Sequence, residues 1–344
     1  MKAALFREHG GAEKILYEDY RDPTIGPGEA LIRVRACALN QVDMLLLDGR
    51  FPPPEGLPHV NGCEVTGTVE ATGAGVSGLA RGQRVIIFPG FACGSCEYCL
   101  VGERTVCVRY GYLGAHKDGG YAELVKAPAA NLLPLPDVIG FEAGAALPLA
   151  FLTSWHALVA QARLQPGQTV LVQAAGSGVG SAAIQVAKFF HSRVITTASS
   201  DMKLARARES GADHVIDLSK QKIRDEVKRI TGKKGVDIVF EHIGAATWVE
   251  SLSSLAHHGR LLICGATTGY DVHLDLRHLF AKQISVMGSY MGARHELLKV
   301  LRLVEEGHLR PVVSSVFPLQ DAAKAQAQME NREHFGKIVL LVDR

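Results

Sequence analysis

The sequence contains no uninterrupted apolar run of about 18 residues or more, so no transmembrane helix is expected. It also has little excess charge. Lys and Arg number 37 and Asp and Glu 35, for a formal net charge of +2. That balance excludes a nucleic-acid or anionic-membrane binder working by bulk charge. The first eight residues include Lys2, Arg7 and Glu8, where a signal peptide needs an apolar stretch. The 36 glycines follow no collagen-like period and instead point to tight turns or backbone close to a ligand. Seven cysteines, an odd number in a long chain, argue against a disulfide-stapled scaffold. What remains is a cytoplasmic protein with reduced thiols and a small-molecule partner.

The 344 residues suggest two domains at roughly 100–200 residues each. The first third reads as short strands joined by Gly/Pro turns. Residues 31–36 alternate apolar and charged side chains, residues 62–73 are β-rich, and residues 84–88 end at Pro89-Gly90. Such punctuation favours a compact barrel-like β domain. Residues 142–162 are Ala/Leu-rich and helical, broken at Pro148. Strands and helices then alternate. Strands are expected at 169–173, 193–197, 214–217, 236–240 and 259–265, with helices at 180–190, 201–209, 221–230 and 247–257. That rhythm implies parallel βαβ units. A long helix follows at 294–307, and a last strand at 337–342 can pair back into the first domain. The charge run 220–229 reads as the solvated face of a helix. No internal repeat, low-complexity tract or long linker is evident.

The strand ending at Gln173 runs into Ala174-Ala175-Gly176-Ser177-Gly178-Val179-Gly180 and then a helix. Glycines let the backbone turn tightly and approach a pyrophosphate, and the helix N-terminus offers free N–H groups. The second strand ends Ala198-Ser199-Ser200, with no acid before Asp201. A carboxylate there would accept from the ribose hydroxyls of NAD and repel a 2′-phosphate. Small hydroxyls, with Lys203 nearby, favour NADPH over NADH.

Cys93, Cys96, Cys99 and Cys107 give the spacing C-x2-C-x2-C-x7-C. Four thiolates can close a tetrahedral zinc site with no open position, which makes one structural zinc per subunit the reading. Disulfides or free thiols are the alternatives.

With both motifs placed, the chain resembles the medium-chain dehydrogenase/reductase superfamily, the alcohol dehydrogenase and quinone oxidoreductase group. The likeness covers nearly the whole chain, including Gly288-Ser289-Tyr290. It implies an α/β protein with a GroES-like β-rich catalytic domain at 1–149 and 292–344. A Rossmann doubly wound parallel sheet at 150–291 is inserted between those segments. It also implies a cleft between the domains and a homodimer or homotetramer built through the Rossmann sheets.

The departures from the family pattern bear on chemistry. Zinc alcohol dehydrogenases hold a catalytic metal through a C-x-x-C-H-T-D segment, a Gly-His-Glu histidine and a third ligand. Here Asn40 stands at the ligand cysteine, Cys63 at the histidine, and Leu149-Ala150 near the third ligand. Alcohol oxidation needs a Lewis acid, whereas an activated alkene or quinone accepts hydride with only neutral donors supporting its oxygen. The expected activity is therefore NADPH-dependent reduction of a quinone or α,β-unsaturated carbonyl, including enoyl-CoA, without catalytic zinc. Two alternatives are a zinc-dependent alcohol dehydrogenase with atypical ligands and a non-catalytic NADPH-binding protein.

The resemblance assigns the catalytic positions to Asn40, Asp43 and Thr153. Asn40 either offers its amide to the substrate oxygen or caps a loop. Asp43 fixes the loop rather than exchanging protons. Thr153 matches a threonine that contacts the nicotinamide, and Val179 the residue packed behind that ring. Tyr110, Tyr112 and His59 either line the cleft or are structural, and no general acid is identified. Cys63 is either a small hydrophobe or part of a degenerate metal site with His59, Asp43 or Glu64. Cys37 and Cys264 read as buried strand thiols. His242, at the end of the fourth Rossmann strand, either approaches the cofactor or lies in a surface loop.

Overall fold

The computed structural model describes residues 1–342. The chain forms two compact units, one of Met1–Leu149 with the segment from Ala293 onward, the other Ala150–Gly292.

The first unit is built on a seven-stranded sheet with the long strand Glu29–Ala38 at its centre. This strand pairs antiparallel with Glu64–Thr72, Leu124–Pro128 and Lys337–Leu341. Its period-2 pattern places Ala30, Ile32 and Val34 in the core and leaves Leu31, Arg33 and Arg35 more exposed. Lys337–Leu341 does return to the first unit and sets Val339 opposite Ala38. That pairing brings residues nearly 300 positions apart into one site.

The second unit holds six parallel strands in the order His214–Asp217, Arg193–Ala198, Thr169–Val172, Val236–Glu241, Leu255–Ile263, Ser285–Gly288. The sequence order reverses between Arg193–Ala198 and Val236–Glu241, on either side of Thr169–Val172. This is the switch point at which doubly wound sheets take their ligands. The central strands are apolar on both faces, as a sheet covered by helices requires.

The helical stretch is broken around Pro148 as expected, into Phe141–Ala145 and a segment that opens as Ala150–Trp155 and continues to Gln161. Other elements differ from expectation. The helix expected at 247–257 stops at Ser254, and Leu255 already opens a strand. The β-propensity of Leu261 and Leu262 therefore extends back through the His257-His258 pair. The short helix Leu276–Lys282 and the strands Ser285–Gly288 and Val313–Pro318 carry too few residues to show a period. The helix Ala322–Glu330 also went unread, because an Ala/Gln-rich stretch has a weak apolar face. Among the described residues, no helix is long and apolar enough to cross a membrane.

Candidate functional site

In the first unit the site grows from the end of the Glu29–Ala38 strand. The chain turns at Asn40 into the helix Gln41–Leu47. The Asn40 backbone N–H donates to Asp43 Oδ2 at 2.7 Å, the returning half of a capping box. Asp43 is completely buried and also accepts from the Tyr121 hydroxyl at 2.9 Å. Burial pushes its carboxyl up to about 6, outweighing the opposing pull of the Asn40 N–H, the Tyr121 hydroxyl and the Lys337 ammonium. Asp43 thus anchors the turn from a fully buried position.

The Asn40 side chain lies inside a charged, almost dry cluster. Its Oδ1 accepts from the Lys337 ammonium at 2.6 Å. Its Nδ2 donates to Glu64 Oε2 at 3.0 Å and to the Ala38 carbonyl at 3.2 Å, and Cys63 Sγ lies 3.4 Å away. An amide nitrogen has two hydrogens, and both are committed. Lys337 and Glu64 form an ion pair at 2.5 Å, with side chains 6% and 0% exposed. The other Glu64 oxygen accepts from the Leu149 N–H at 2.6 Å. The sequence reading missed Lys337, which sits in an apolar strand run and gives no local sign of a charge partner.

This donor set does not suit a catalytic metal. Asn40 is consumed by Lys337 and Glu64, Leu149 has no ligand atom in its side chain, and the remaining candidate is one thiol. Burial pushes the Cys63 thiol well up. Cys63 and Cys37 are both fully buried. Gly62, at φ +107°, passes between Cys37 and Tyr121, and a Cβ there would lie 2.6 Å from Cys37 Sγ. His59 is also buried and bonds the Gly114 carbonyl at 3.1 Å, a structural contact.

The four-cysteine loop is different. The Sγ atoms of Cys93, Cys96, Cys99 and Cys107 all lie within 4.8 Å of one another. Cys93–Cys99 is 3.9 Å and Cys96–Cys107 is 3.8 Å. These are far beyond the disulfide bond length of about 2.05 Å. They match the edge of about 3.8 Å of a tetrahedron with Zn–S bonds of about 2.3 Å. Backbone N–H groups of Cys93, Cys96 and Arg109 point at the sulfurs from 3.3 to 3.4 Å. Such donors favour the thiolate, and those from Ser95 first and Cys96 hold Cys93 down at about 5.

In the second unit, Ser177 caps the helix Gly178–Phe189 by accepting from Gly180 N at 2.8 Å. A Cβ on Gly180 would lie 2.3 Å from the Ala174 carbonyl, so only glycine lets the loop fold this tightly. Gly176 lies in the turn, and Gly178 and Val179 open the helix. Ser154 donates to the Val179 carbonyl at 2.9 Å, which ties the helix carrying the buried Thr153 to the nucleotide loop. His242 is buried, not in a surface loop. Its Nε2 lies 2.9 Å from the Gln173 carbonyl and 3.3 Å from Ser177 Oγ, beneath the turn. Ser199 and Ser200 are exposed at the end of Arg193–Ala198. Ser200 Oγ accepts from Lys203 N at 3.5 Å as the cap of Asp201–Glu209.

The alcohol dehydrogenase GroES-like domain family matches residues 26–137, and the zinc-binding dehydrogenase family matches residues 178–306. Acryloyl-coenzyme A reductase of Metallosphaera sedula is 32% identical over 99% of this chain and 99% of its own. Quinone oxidoreductase of Rattus norvegicus is 29% identical over 99% and 98%. Among solved structures, an NAD-dependent alcohol dehydrogenase is 45% identical, with a TM-score of 0.96 and complete coverage of both chains. A mycobacterial protein complexed with NADPH is 30% identical, with a TM-score of 0.85, over 99% of this chain and 100% of that one. The chain belongs to the medium-chain dehydrogenase/reductase superfamily and is an NAD(P)H-dependent oxidoreductase of that group.

Proposed function

We propose that this enzyme reduces a quinone or an α,β-unsaturated carbonyl, including a CoA thioester, with NADPH and without a catalytic metal. The observation that carries this reading is the Asn40–Lys337–Glu64 cluster at the metal-ligand positions. Alcohol oxidation needs a Lewis acid to stabilise an alkoxide. An activated alkene or quinone takes hydride at carbon and spreads charge to an oxygen that hydrogen-bond donors can support.

Gly176, Ser177, Gly178, Val179 and Gly180 present N–H groups to the pyrophosphate. Ser199, Ser200 and Lys203 receive the 2′-phosphate at a strand end without a carboxylate. NADPH supplies a hydride when bound. Thr153 lies against the nicotinamide, Asn40 forms part of the substrate-side wall, and Asp43 holds Asn40 in place. Cys93, Cys96, Cys99 and Cys107 hold one structural zinc that pins the surrounding loop. Subunits pair as a homodimer or homotetramer through the edge strand Ser285–Gly288, beside the exposed Leu276 and Phe280.

A second reading, a zinc-dependent alcohol dehydrogenase with atypical ligands, draws on the 45% identity to an alcohol dehydrogenase. A panel of quinones, enones, enoyl thioesters and alcohols, assayed with both cofactors, separates the two. Turnover of the activated acceptors supports the proposal. Turnover of alcohols alone supports the second reading. Tight NADPH binding with no turnover of any substrate would leave only a non-catalytic role.

A further inference from the structure

The proposed reaction needs a donor for the substrate oxygen, and Asn40 has none to spare. Both of its amide hydrogens go to Glu64 and Ala38. The cluster that contains Cys63 offers another group. Cys63, Tyr112 and Ala115 pack together, with the half-buried Val42, Phe51 and Leu149 at their margin. Leu149 is the residue whose N–H binds Glu64, so this apolar surface is continuous with the Asn40 site. On the same margin stands His116, half-buried. Its ring is 5.1 Å from that of Tyr112 and 5.7 Å from that of Phe51, edge-on to both.

The protonation pattern of this ring is set by the backbone. The Tyr112 N–H donates to His116 Nδ1 at 3.2 Å, while the His116 N–H donates back to the Tyr112 carbonyl at 3.0 Å. A nitrogen that accepts from an amide N–H carries no proton, so the proton sits on Nε2. Among the described residues, Nε2 has no hydrogen-bond partner. A second proton on Nδ1 would face the Tyr112 N–H directly. Gly111, Tyr112 and Phe51 pack against the ring, and of these Tyr112 carries the titratable group, its phenol. Burial lowers the affinity of the imidazole for a proton, in the same direction as the hydrogen bond.

We propose that His116 is the electrophile of the reaction, a neutral imidazole whose Nε2–H donates to the substrate oxygen on which charge accumulates. This rests on the reading of the enzyme as a metal-free reductase of activated carbonyls. Hydride reaches the β-carbon with its electron pair. The alkene π pair moves to form a new double bond to the carbonyl carbon, and the carbonyl π pair moves to oxygen. His116 stabilises that enolate oxygen by hydrogen bonding and keeps its own proton, and water supplies the proton taken up at the α-carbon. A neutral donor suits this role because it needs no reorganisation and leaves no imidazolate behind.

The test combines kinetics with 15N NMR of the histidines in the cofactor-free protein. His116→Phe is expected to lower kcat on an enone by about 10²–10³-fold. His116→Gln, which keeps an N–H donor, is expected to recover part of that loss. NADPH affinity and Tm are expected to stay near wild type in both. The His116 resonances should show Nε2 protonated and Nδ1 bare, and kcat should not fall as pH rises from 6 to 8. A kcat for His116→Phe within about threefold of wild type, or a protonated Nδ1 at pH 7, overturns the assignment. In that event, wild-type enone or quinone turnover still upholds the reductase reading. If the wild type turns over no activated acceptor, both fall.

Discussion

The Lys337 ammonium donates to Asn40 Oδ1 at 2.6 Å across 297 positions of sequence, and it pairs with Glu64 at 2.5 Å. The last strand, Lys337–Leu341, thereby sets the geometry at the end of Glu29–Ala38. Lys337→Met would leave the Glu64 carboxylate buried with its cation gone. Removing one partner of a buried pair costs about 3–5 kcal/mol. The double variant Lys337→Met with Glu64→Gln keeps the acceptor for the Leu149 N–H and should regain most of that loss. Urea unfolding of the four proteins of the cycle checks this. Additive losses from the two substitutions would show that the pair is not coupled.

Asp43 gives a pH signature. Its folded value, raised to about 6 by burial, lies above the unfolded value of about 3.9. The folded state therefore binds the proton more tightly, and its contribution to stability is greatest below pH 4. That contribution is lost as pH rises through 6, by at most about 3 kcal/mol. Asn at this position has no proton to lose. Asp43→Asn should gain stability relative to wild type between pH 4 and pH 6, then hold level above. A difference that is flat across that window contradicts the account.

The cysteine loop should carry its metal independently of the rest. Replacing Cys96 or Cys99 with Ser should abolish zinc binding and open residues 91–108 to protease, while the parallel-sheet unit keeps its NADPH affinity. Retention of full zinc by either variant would show that the four sulfurs do not act as one site.

The nucleotide loop admits a steric test. A Cβ at Gly180 meets the Ala174 carbonyl at 2.3 Å, so Gly180→Ala must displace the turn. Cofactor affinity by calorimetry should fall by at least about tenfold, since the loop's N–H groups no longer converge. Lys203→Ala should weaken NADPH by roughly two- to tenfold and leave NADH unchanged, as one charge near a 2′-phosphate is worth about 1 kcal/mol. Equal losses for both cofactors would remove Lys203 from phosphate recognition, and tighter NADH binding by the wild type would overturn the NADPH preference.

The sequence made the βαβ rhythm legible because each strand is a compact apolar run and each turn has its Gly or Ser. The thiolate set and the Gly180 turn were legible because their partners lie within a few residues. The Asn40 environment was not. Glu64 reaches it through the strand pairing that sets it opposite Ala38, Lys337 comes from 297 positions away, and Lys337 looks like any residue of the run 337–342. His116 escaped notice for a related reason. Its role depends on a hydrogen bond from the Tyr112 backbone and on rings brought in from residue 51.

Zinc content measured together with activity tests the central claim most directly. The account predicts one zinc per subunit and enone or quinone reduction that survives treatment with a chelator. Two zincs per subunit, with loss of the weaker one abolishing activity and added zinc restoring it, would contradict it.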